Sequence, residues 1–321
     1  MMSASSGAER LVRDCVGVRR GESVLILIDP PGDQSVAHNL AAAATRYGAH
    51  ASVVEIATEL LTSRDGDVDN ARLDAIAAGT DVLLGVTSRS LYHSMLGRRA
   101  IASGKRLLAL TGVTATSLRE GAIEADFAAL EERCKRFADR LTDGRTIVVT
   151  TARGTHLSAD ISGRTGCANT GRALHPGERS GGLDVEAFIA PNEESVTGVL
   201  VVDASTTLYG LVDQEIRLEF DSGRLRSWQG GAHAQRISQM VSESGAGMAV
   251  VAELGFGLNP SARVVGNIVE DEATYGTGHV ALGSNDSFGG ANPAPLHFDM
   301  VYWQPSVMLD GQPLMDAGEL R

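Results

Sequence analysis

The run SVLILID (Ser23–Asp29) is a continuous apolar segment of the kind that forms a buried parallel strand. Three more short apolar runs follow it, at Ala51–Ile56, Asp81–Thr87 and Arg106–Gly112. The intervening segments have apolar residues at helical spacing, namely Ser35–Tyr47, Asn70–Ala78 and Leu91–Ser103. This alternation predicts an α/β fold with an open, mostly parallel sheet, and a charged amphipathic helix over Glu124–Leu141 closes that part of the chain. We therefore predict a Rossmann-like α/β scaffold domain over residues 1–143.

The first strand is not followed by a phosphate-binding loop. The residues after it are Asp29-Pro-Pro-Gly-Asp33, with two prolines and one glycine where a dinucleotide fingerprint requires three glycines. The sequence also contains no Walker A motif. These absences favour a scaffold role over nucleotide binding for this domain.

After Asp143 the pattern changes to short strands separated by glycine-rich loops. Five segments have strand-like sequences: Thr146–Thr151, Thr155–Gly163, Ala187–Pro191, Gly198–Asp203 and Glu215–Trp228. The last of these predicts a hairpin that turns at Asp221–Gly223, and one helix is predicted over His233–Ser244. Glycines crowd the region 253–290, where they allow close approach of the backbone to a ligand. We predict an α+β metal-binding, catalytic domain over residues 144–321.

The composition limits the partners and the compartment. A net charge of −12 argues against nucleic acid or an anionic membrane as a partner, since both surfaces are negatively charged. No stretch approaches the ~20 apolar residues of a membrane helix, and the N-terminal segment lacks the apolar core of a signal peptide. The cysteines Cys15, Cys134 and Cys167 are few and far apart, which suits a reducing compartment. We therefore expect a soluble, cytoplasmic protein.

Histidines and carboxylates in the C-terminal half indicate a metal site. His297 and Asp299 are two residues apart, so on a strand both side chains point to the same face and can bind one ion. His279 lies between a glycine-rich turn and an apolar segment, where a strand can present it inward. Glu253 ends the apolar run Gly247–Glu253 and precedes two glycines, which suggests a carboxylate held at the mouth of the domain. Imidazole and carboxylate ligands suit zinc, manganese, cobalt or iron(II).

The run ELGFGLNPSARVVGNIVEDEATYGTGHVALGSN, followed by HFDMVYWQPSVMLDG, resembles the aminopeptidase T family of metallopeptidases. It is also similar to the related ring-cleaving enzymes of the 2,5-dihydroxypyridine dioxygenase type. The motifs match through about residues 184–320. For the aminopeptidases the resemblance implies a homodimer with two divalent ions, zinc, cobalt or manganese. The ligands implied by the motifs are Glu186, Glu253, His279, His297 and Asp299.

The resemblance leaves three functions open. The ligand set favours a metal-dependent hydrolase, similar to an aminopeptidase, that cleaves a short peptide or small amide with a metal-activated water. The alternative is a mononuclear Fe(II) dioxygenase that opens a hydroxylated pyridine; in that branch a His stands where this chain has Glu253, and His279 has no equivalent. A third possibility is a catalytically silent binding protein, because the aminopeptidases carry a Tyr at the position of Asp286. Glu272 is a candidate general base, and either Tyr275 or Tyr302 is a candidate replacement for the missing phenol.

Overall fold

The computed structural model describes residues 3–62, 75, 77–92 and 94–321. The helix predicted over Asn70–Ala78 lies largely outside the described residues. The chain forms two compact units, residues 1–131 with 169–184 and residues 132–168 with 185–321. These bounds differ from a single division at residue 143, because the segment 169–184 returns to the first unit. The predicted scaffold and catalytic roles of the two parts stay predictions.

The first unit contains a parallel sheet that confirms the predicted α/β fold. Its strands are β1 (Ser23–Ile28), β2 (His50–Glu55), β3 (Val82–Val86), β4 (Arg106–Ala109) and β8 (Arg179–Ser180). They lie in the order β2-β1-β3-β4-β8, and each pairs in parallel with its neighbours. The short strand β8 explains the return of the segment 169–184, because it supplies the last strand of this sheet.

Two helices of the first unit lie where the apolar spacing of Ser35–Tyr47 and Leu91–Ser103 predicts them, namely α2 (Gln34–Arg46) and α3 (Met95–Ala102). The other helical segments of this unit were not predicted: α1 (Ala4–Arg10), a π-helical turn (Leu11–Cys15) and 3-10 turns (Thr58–Thr62 and Gly121–Glu124). Helix α2 begins after Asp33, whose carboxylate accepts hydrogen bonds from the amides of Ser35 and Val36. Helix α4 (Phe127–Asp143) follows in sequence, and the boundary between the two units falls within it.

The carboxyl end of β1 carries a buried carboxylate where a nucleotide-binding domain has a glycine-rich loop. Asp29 is fully buried, and its oxygens accept hydrogen bonds from the hydroxyls of Thr58 and Ser88 and from the Ser88 amide. These bonds tie together the ends of β1 and β3, the place at which open α/β sheets bind ligands.

The second unit is built on two antiparallel sheets. One has eight strands: β5 (Thr146–Thr150), β6 (His156–Asp160), β10 (Thr197–Val202), β13 (Ile216–Asp221), β14 (Arg224–Gln229), β18 (Ser306–Leu309), β19 (Gln312–Asp316) and β20 (Glu319–Leu320). The other has seven strands, of which β7 (Cys167–Thr170) extends past the end of the second unit at residue 168: the remaining six are β9 (Val185–Ile189), β11 (Ser205–Thr206), β12 (Gly210–Leu211), β15 (Val251–Gly257), β16 (Thr277–Gly283) and β17 (His297–Trp303). The order in this second sheet is β12-β11-β17-β16-β15-β9-β7.

The hairpin and the helix predicted in this unit are confirmed. Strands β13 and β14 turn through Ser222 and Gly223, with φ of 53° and 70°, the positive values that a tight hairpin requires. Helix α5 (Gly231–Ser244) covers the predicted helical segment, and α6 (Ile268–Asp271) is a single short turn. No helix in the described part of the chain is long and apolar enough to cross a membrane.

The expected end of the apolar run Gly247–Glu253, with Glu253 at the mouth of the domain, differs from the structure. The first residues of this run form a 3-10 turn (Ala246–Ala249). Strand β15 then continues through Gly255 to Gly257. The glycines stay extended because β15 is paired on both sides, with β9 and with β16. Glu253 therefore lies within an interior strand of this sheet and not where a strand ends and the chain turns.

Candidate metal centre

The register of four neighbouring strands brings the five predicted ligands to one face of the seven-stranded sheet. On β15 and β16, Gly255 lies opposite His279 and Glu253 lies opposite Ala281. On β16 and β17, Ala281 lies opposite Asp299 and Gly283 lies opposite His297. Glu186 on β9 lies opposite Gly257 on β15. Residues directly opposite one another, and alternate residues along a strand, share a face of the sheet.

Glu253 is the centre of this cluster. Its Oε1 atom lies 3.1 Å from Nε2 of His279, and its Oε2 atom lies 3.4 Å from Nε2 of His297. His297 Nε2 is in turn 3.1 Å from Oδ1 of Asp299, and His279 Nε2 is 2.9 Å from Oε2 of Glu186. Four groups of possible ligands lie together among the described residues, and two of them contain Glu253: Glu186–Glu253–His279 and Glu253–His297–Asp299, each with its ligand atoms within 4.8 Å of one another.

The two triads differ in exposure. The side chains of His279 and Glu186 are 1% and 6% exposed, whereas those of His297 and Asp299 are 17% and 13% exposed. Glu253 is buried between them. The triad Glu253–His297–Asp299 is therefore the one that a solute can reach, and we call it the exposed triad.

Gly255 provides the space for His279. A Cβ atom at position 255 would overlap the imidazole at Nε2 and Cε1. Because any other residue carries that atom, a side chain here would displace His279 from the cluster. The sequence gives a signal for this role, since Gly255 follows Glu253 in the run Glu-Leu-Gly-Phe-Gly, but only the strand register identifies the residue that occupies the space.

Backbone and hydroxyl groups orient His297 and Asp299, two of the three residues of the exposed triad. The Nδ1–H group of His297 donates a hydrogen bond to the carbonyl oxygen of Ser284 at 2.8 Å, which leaves Nε2 to face the carboxylates. Thr207 Oγ1 donates to Oδ2 of Asp299 at 3.2 Å and accepts a bond from the Asp299 amide at 2.9 Å. Thr207 has no signal in its local sequence, because only the pairing of β11 with β17 brings it beside Asp299.

Neighbouring ionisable groups of the cluster lie 2.9 to 3.4 Å apart, and this crowding, together with burial, shifts pKa values in the cluster. Burial lowers the pKa of His297, but the Asp299 and Glu253 carboxylates and the Ser284 carbonyl raise it, to about 10. Burial raises the pKa of Asp299, but His297 outweighs it and lowers that pKa to about 2. Burial, together with Glu186, raises the pKa of Glu253, while the carboxylates of Glu186 and Glu253 hold the pKa of His279 above its usual value despite burial.

The residues present fit a divalent cation. Oε2 of Glu186 is buried and makes no hydrogen bond within the described residues, although it lies close to His279. Three buried carboxylates face two imidazoles, an excess of negative charge that a bound divalent ion would offset. Nitrogen and oxygen ligands of this kind suit iron(II), zinc, cobalt and manganese.

The two predicted catalytic residues lie in different places. Glu272 is half-buried, and one of its carboxylate oxygens lies within 4.8 Å of ligand atoms of His279 and Asp299. Tyr302, in contrast, is on β17 at an odd spacing from His297 and Asp299, so its side chain points to the opposite face of the sheet. The Tyr302 hydroxyl is buried and makes no hydrogen bond with the described residues, and burial raises its pKa. Tyr302 therefore cannot replace the missing phenol at the ligand cluster, and Glu272 stays a candidate general base.

Aromatic side chains border the exposed triad. The ring of Phe288 meets the imidazole of His297 edge-on, with centroids 5.7 Å apart. Phe188, which follows Glu186 on the same face of β9, packs edge-on against Phe288 at 5.3 Å. The side of the cluster next to His297 is therefore apolar.

The chain has an α/β unit and an antiparallel unit that contains a cluster of His and carboxylate side chains. This combination is typical of a metal-dependent enzyme. The comparison with protein families gives the particular class: the family model described as NicX, 2,5-dihydroxypyridine 5,6-dioxygenase, matches residues 8–321. The chain belongs to this family. A curated relative, the 2,5-dihydroxypyridine 5,6-dioxygenase of Pseudomonas putida KT2440, is 23% identical over 248 residues, which cover 73% of this chain and 70% of the relative.

Two solved structures share the fold. The 2,5-dihydroxypyridine dioxygenase from Pseudomonas putida KT2440 has a TM-score of 0.79 at 21% identity, and the match covers 99% of this chain and 96% of the other. AmpT from Thermus thermophilus has a TM-score of 0.70 at 16% identity, covering 99% of this chain and 98% of the other. The resemblance to both groups is thus confirmed. The comparisons support the dioxygenase alternative better than the hydrolase that the ligand set favoured.

Proposed function

We propose that this protein is a non-haem Fe(II) dioxygenase that opens a hydroxylated pyridine or a closely similar ring. The match of the family model over residues 8–321 carries this proposal. The exposed triad Glu253–His297–Asp299 supports it, since these residues can hold one ion where a small planar substrate can reach it. The dioxygenase resemblance implies a second His at this position, and this chain departs from it at Glu253.

Iron(II), when bound, would supply the activation of O₂ and a place for the ring hydroxyl to bind. The protein residues then have three tasks. Glu253, His297 and Asp299 would hold the ion, and the Ser284 carbonyl keeps His297 in the form that has Nε2 available. We assign to the Glu272 carboxylate the removal of the proton from the substrate hydroxyl. Phe288 and Phe188 restrict water on the side of the cluster next to His297.

The experiment is O₂ uptake by the chain reconstituted with Fe(II) without air and then given 2,5-dihydroxypyridine in aerated buffer. We expect about one O₂ consumed per ring opened, because a dioxygenase places both oxygen atoms in its product. His297→Ala should abolish the uptake, and the matched control His156→Ala, which changes an exposed histidine of the same unit, should retain it. Absence of uptake with every hydroxypyridine tried would contradict the proposal.

A second candidate is a dinuclear hydrolase that cleaves a small amide. One observation favours it: the Glu253 carboxylate has one oxygen near each imidazole, so it could bridge two ions held by the two triads. Under this candidate the protein loaded with zinc or cobalt, and not the protein loaded with iron, would release amine from short peptides. Measuring which metal supports turnover therefore distinguishes the two functions.

A further inference from the structure

We infer that Thr207 is a positioning residue that makes Asp299 a one-oxygen ligand and aims Oδ1 at the ion. This inference rests on the proposed metal-dependent function. Thr207 would not touch the substrate or the ion, but would act through the carboxylate that it holds.

The register places Thr207 directly beside Asp299. Strand β11 pairs with β17 through Ser205 with Val301 and Thr206 with Met300. The next pair in this sequence is Thr207 with Asp299, and the amide of Thr207 donates a hydrogen bond to the Asp299 carbonyl oxygen at 2.9 Å. The Thr207 side chain therefore shares the ligand face of the sheet. Leu208 then adopts a φ of 70° and turns the chain away.

The Thr207 hydroxyl is engaged on both sides by Asp299. It accepts a hydrogen bond from the Asp299 amide at 2.9 Å, so its own hydrogen is directed to Oδ2 of the same residue at 3.2 Å. The other oxygen, Oδ1, faces Nε2 of His297. Because Oδ2 is held by the hydroxyl, Oδ1 would be the oxygen available to an ion, and rotation of the carboxylate to offer both oxygens would break the bond to Thr207.

Thr206 provides a matched control for this role. It precedes Thr207 in the same chain segment, but its side chain points to the opposite face, and its buried hydroxyl has no hydrogen-bond partner among the described residues. Replacing either threonine by valine keeps the β-branched shape and removes one hydroxyl. Only the change at residue 207 removes a contact to Asp299.

The test is a titration of the metal-free full chain with Co²⁺, followed by the visible absorption of the bound ion. Thr207→Val should raise the dissociation constant about 10- to 100-fold and shift the absorption bands, as the loss of groups that orient metal ligands does. Thr207→Ser, which keeps the hydroxyl, should restore the affinity to within about threefold of wild type. Thr206→Val should match wild type in both affinity and spectrum.

The outcomes separate this inference from the proposed function. If the wild type binds Co²⁺ and Thr207→Val has the same affinity and spectrum, Thr207 has no positioning role, while the metal site stands. If the wild type binds no Co²⁺, the metal-dependent function fails and this inference fails with it. Circular dichroism checks that each variant folds, and should Thr207→Val not fold, weaker binding by Thr207→Ala than by Thr207→Ser supports the role and equal binding overturns it.

Discussion

Oε2 of Glu253 lies 3.4 Å from Nε2 of His297, although the two residues are on β15 and β17, with β16 between them. The distance is short because Ala281 is the residue of β16 that lies between Glu253 and Asp299. The small methyl group of Ala281 leaves room above the sheet for the side chains of Glu253 and His297 to meet. A carboxylate and an imidazole thus converge across a strand whose side chain is small.

Replacement of Glu253 by Gln should remove bound metal. The neutral amide has one oxygen acceptor in place of two charged oxygens, and both imidazoles lose their shared carboxylate. We expect metal affinity to fall by at least ~100-fold, since even groups behind the ligands contribute 10- to 100-fold. Metal content after dialysis measures this, with Glu243→Gln on the exposed side of α5 as the control. Equal metal content in the two variants would contradict the assignment of Glu253.

Gly255→Ala should displace His279 without touching the exposed triad directly. The added Cβ overlaps the imidazole, and such overpacking costs roughly 1–3 kcal/mol of unfolding free energy. Urea denaturation measures the loss. Gly231→Ala is the control, because the atoms that crowd a Cβ there belong to the flexible side chain of Gln214. A Gly255→Ala variant as stable as Gly231→Ala would show that the strand adjusts to the methyl group.

Glu186→Gln separates the mononuclear from the dinuclear site. Glu186 contacts His279 but does not belong to the triad of Glu253, His297 and Asp299. Under the proposed dioxygenase function, the variant should keep one bound ion and consume O₂ within about tenfold of the wild-type rate. Loss of one of two bound ions, together with all turnover, would favour the dinuclear hydrolase.

The stability of the metal-free chain should fall in alkali. The pKa of His297 is raised to about 10 in the folded state, above the unfolded value of 6.5. The protonated imidazole therefore contributes stability that is fully present below about pH 6.5 and is lost as the pH rises through about 10. Urea denaturation from pH 6 to pH 10 measures the decline. His297→Gln should flatten the curve and His156→Gln should not; the same slope in both variants would exclude His297 as its source.

Much of the fold could be predicted because its signals are local. Buried parallel strands such as Ser23–Ile28 are uninterrupted apolar runs, and the β13–β14 hairpin is marked by its turn residues. The two-residue strand β8 carries no such signal, since only its partner β4 makes it a strand. For the same reason the return of the segment 169–184 to the first unit could not be predicted from its sequence.

The candidate site was predictable in part for physical reasons that differ between residues. The spacing of His297 and Asp299 on one strand defines a common face, and the same alternation could have excluded Tyr302. Glu186 was identified only through the family resemblance. Thr207 depends on a pairing between strands that are far apart in sequence, and its contact with Asp299 became visible only in the structure.

The most direct test of the account is the number and identity of metal ions per chain after purification without chelator. The proposed function predicts about one iron per chain, lost in His297→Ala and retained in Glu186→Gln, because the triad of Glu253, His297 and Asp299 holds it. About two zinc, cobalt or manganese ions per chain would contradict the dioxygenase proposal and support the hydrolase. No metal after reconstitution with any of these ions would contradict both functions.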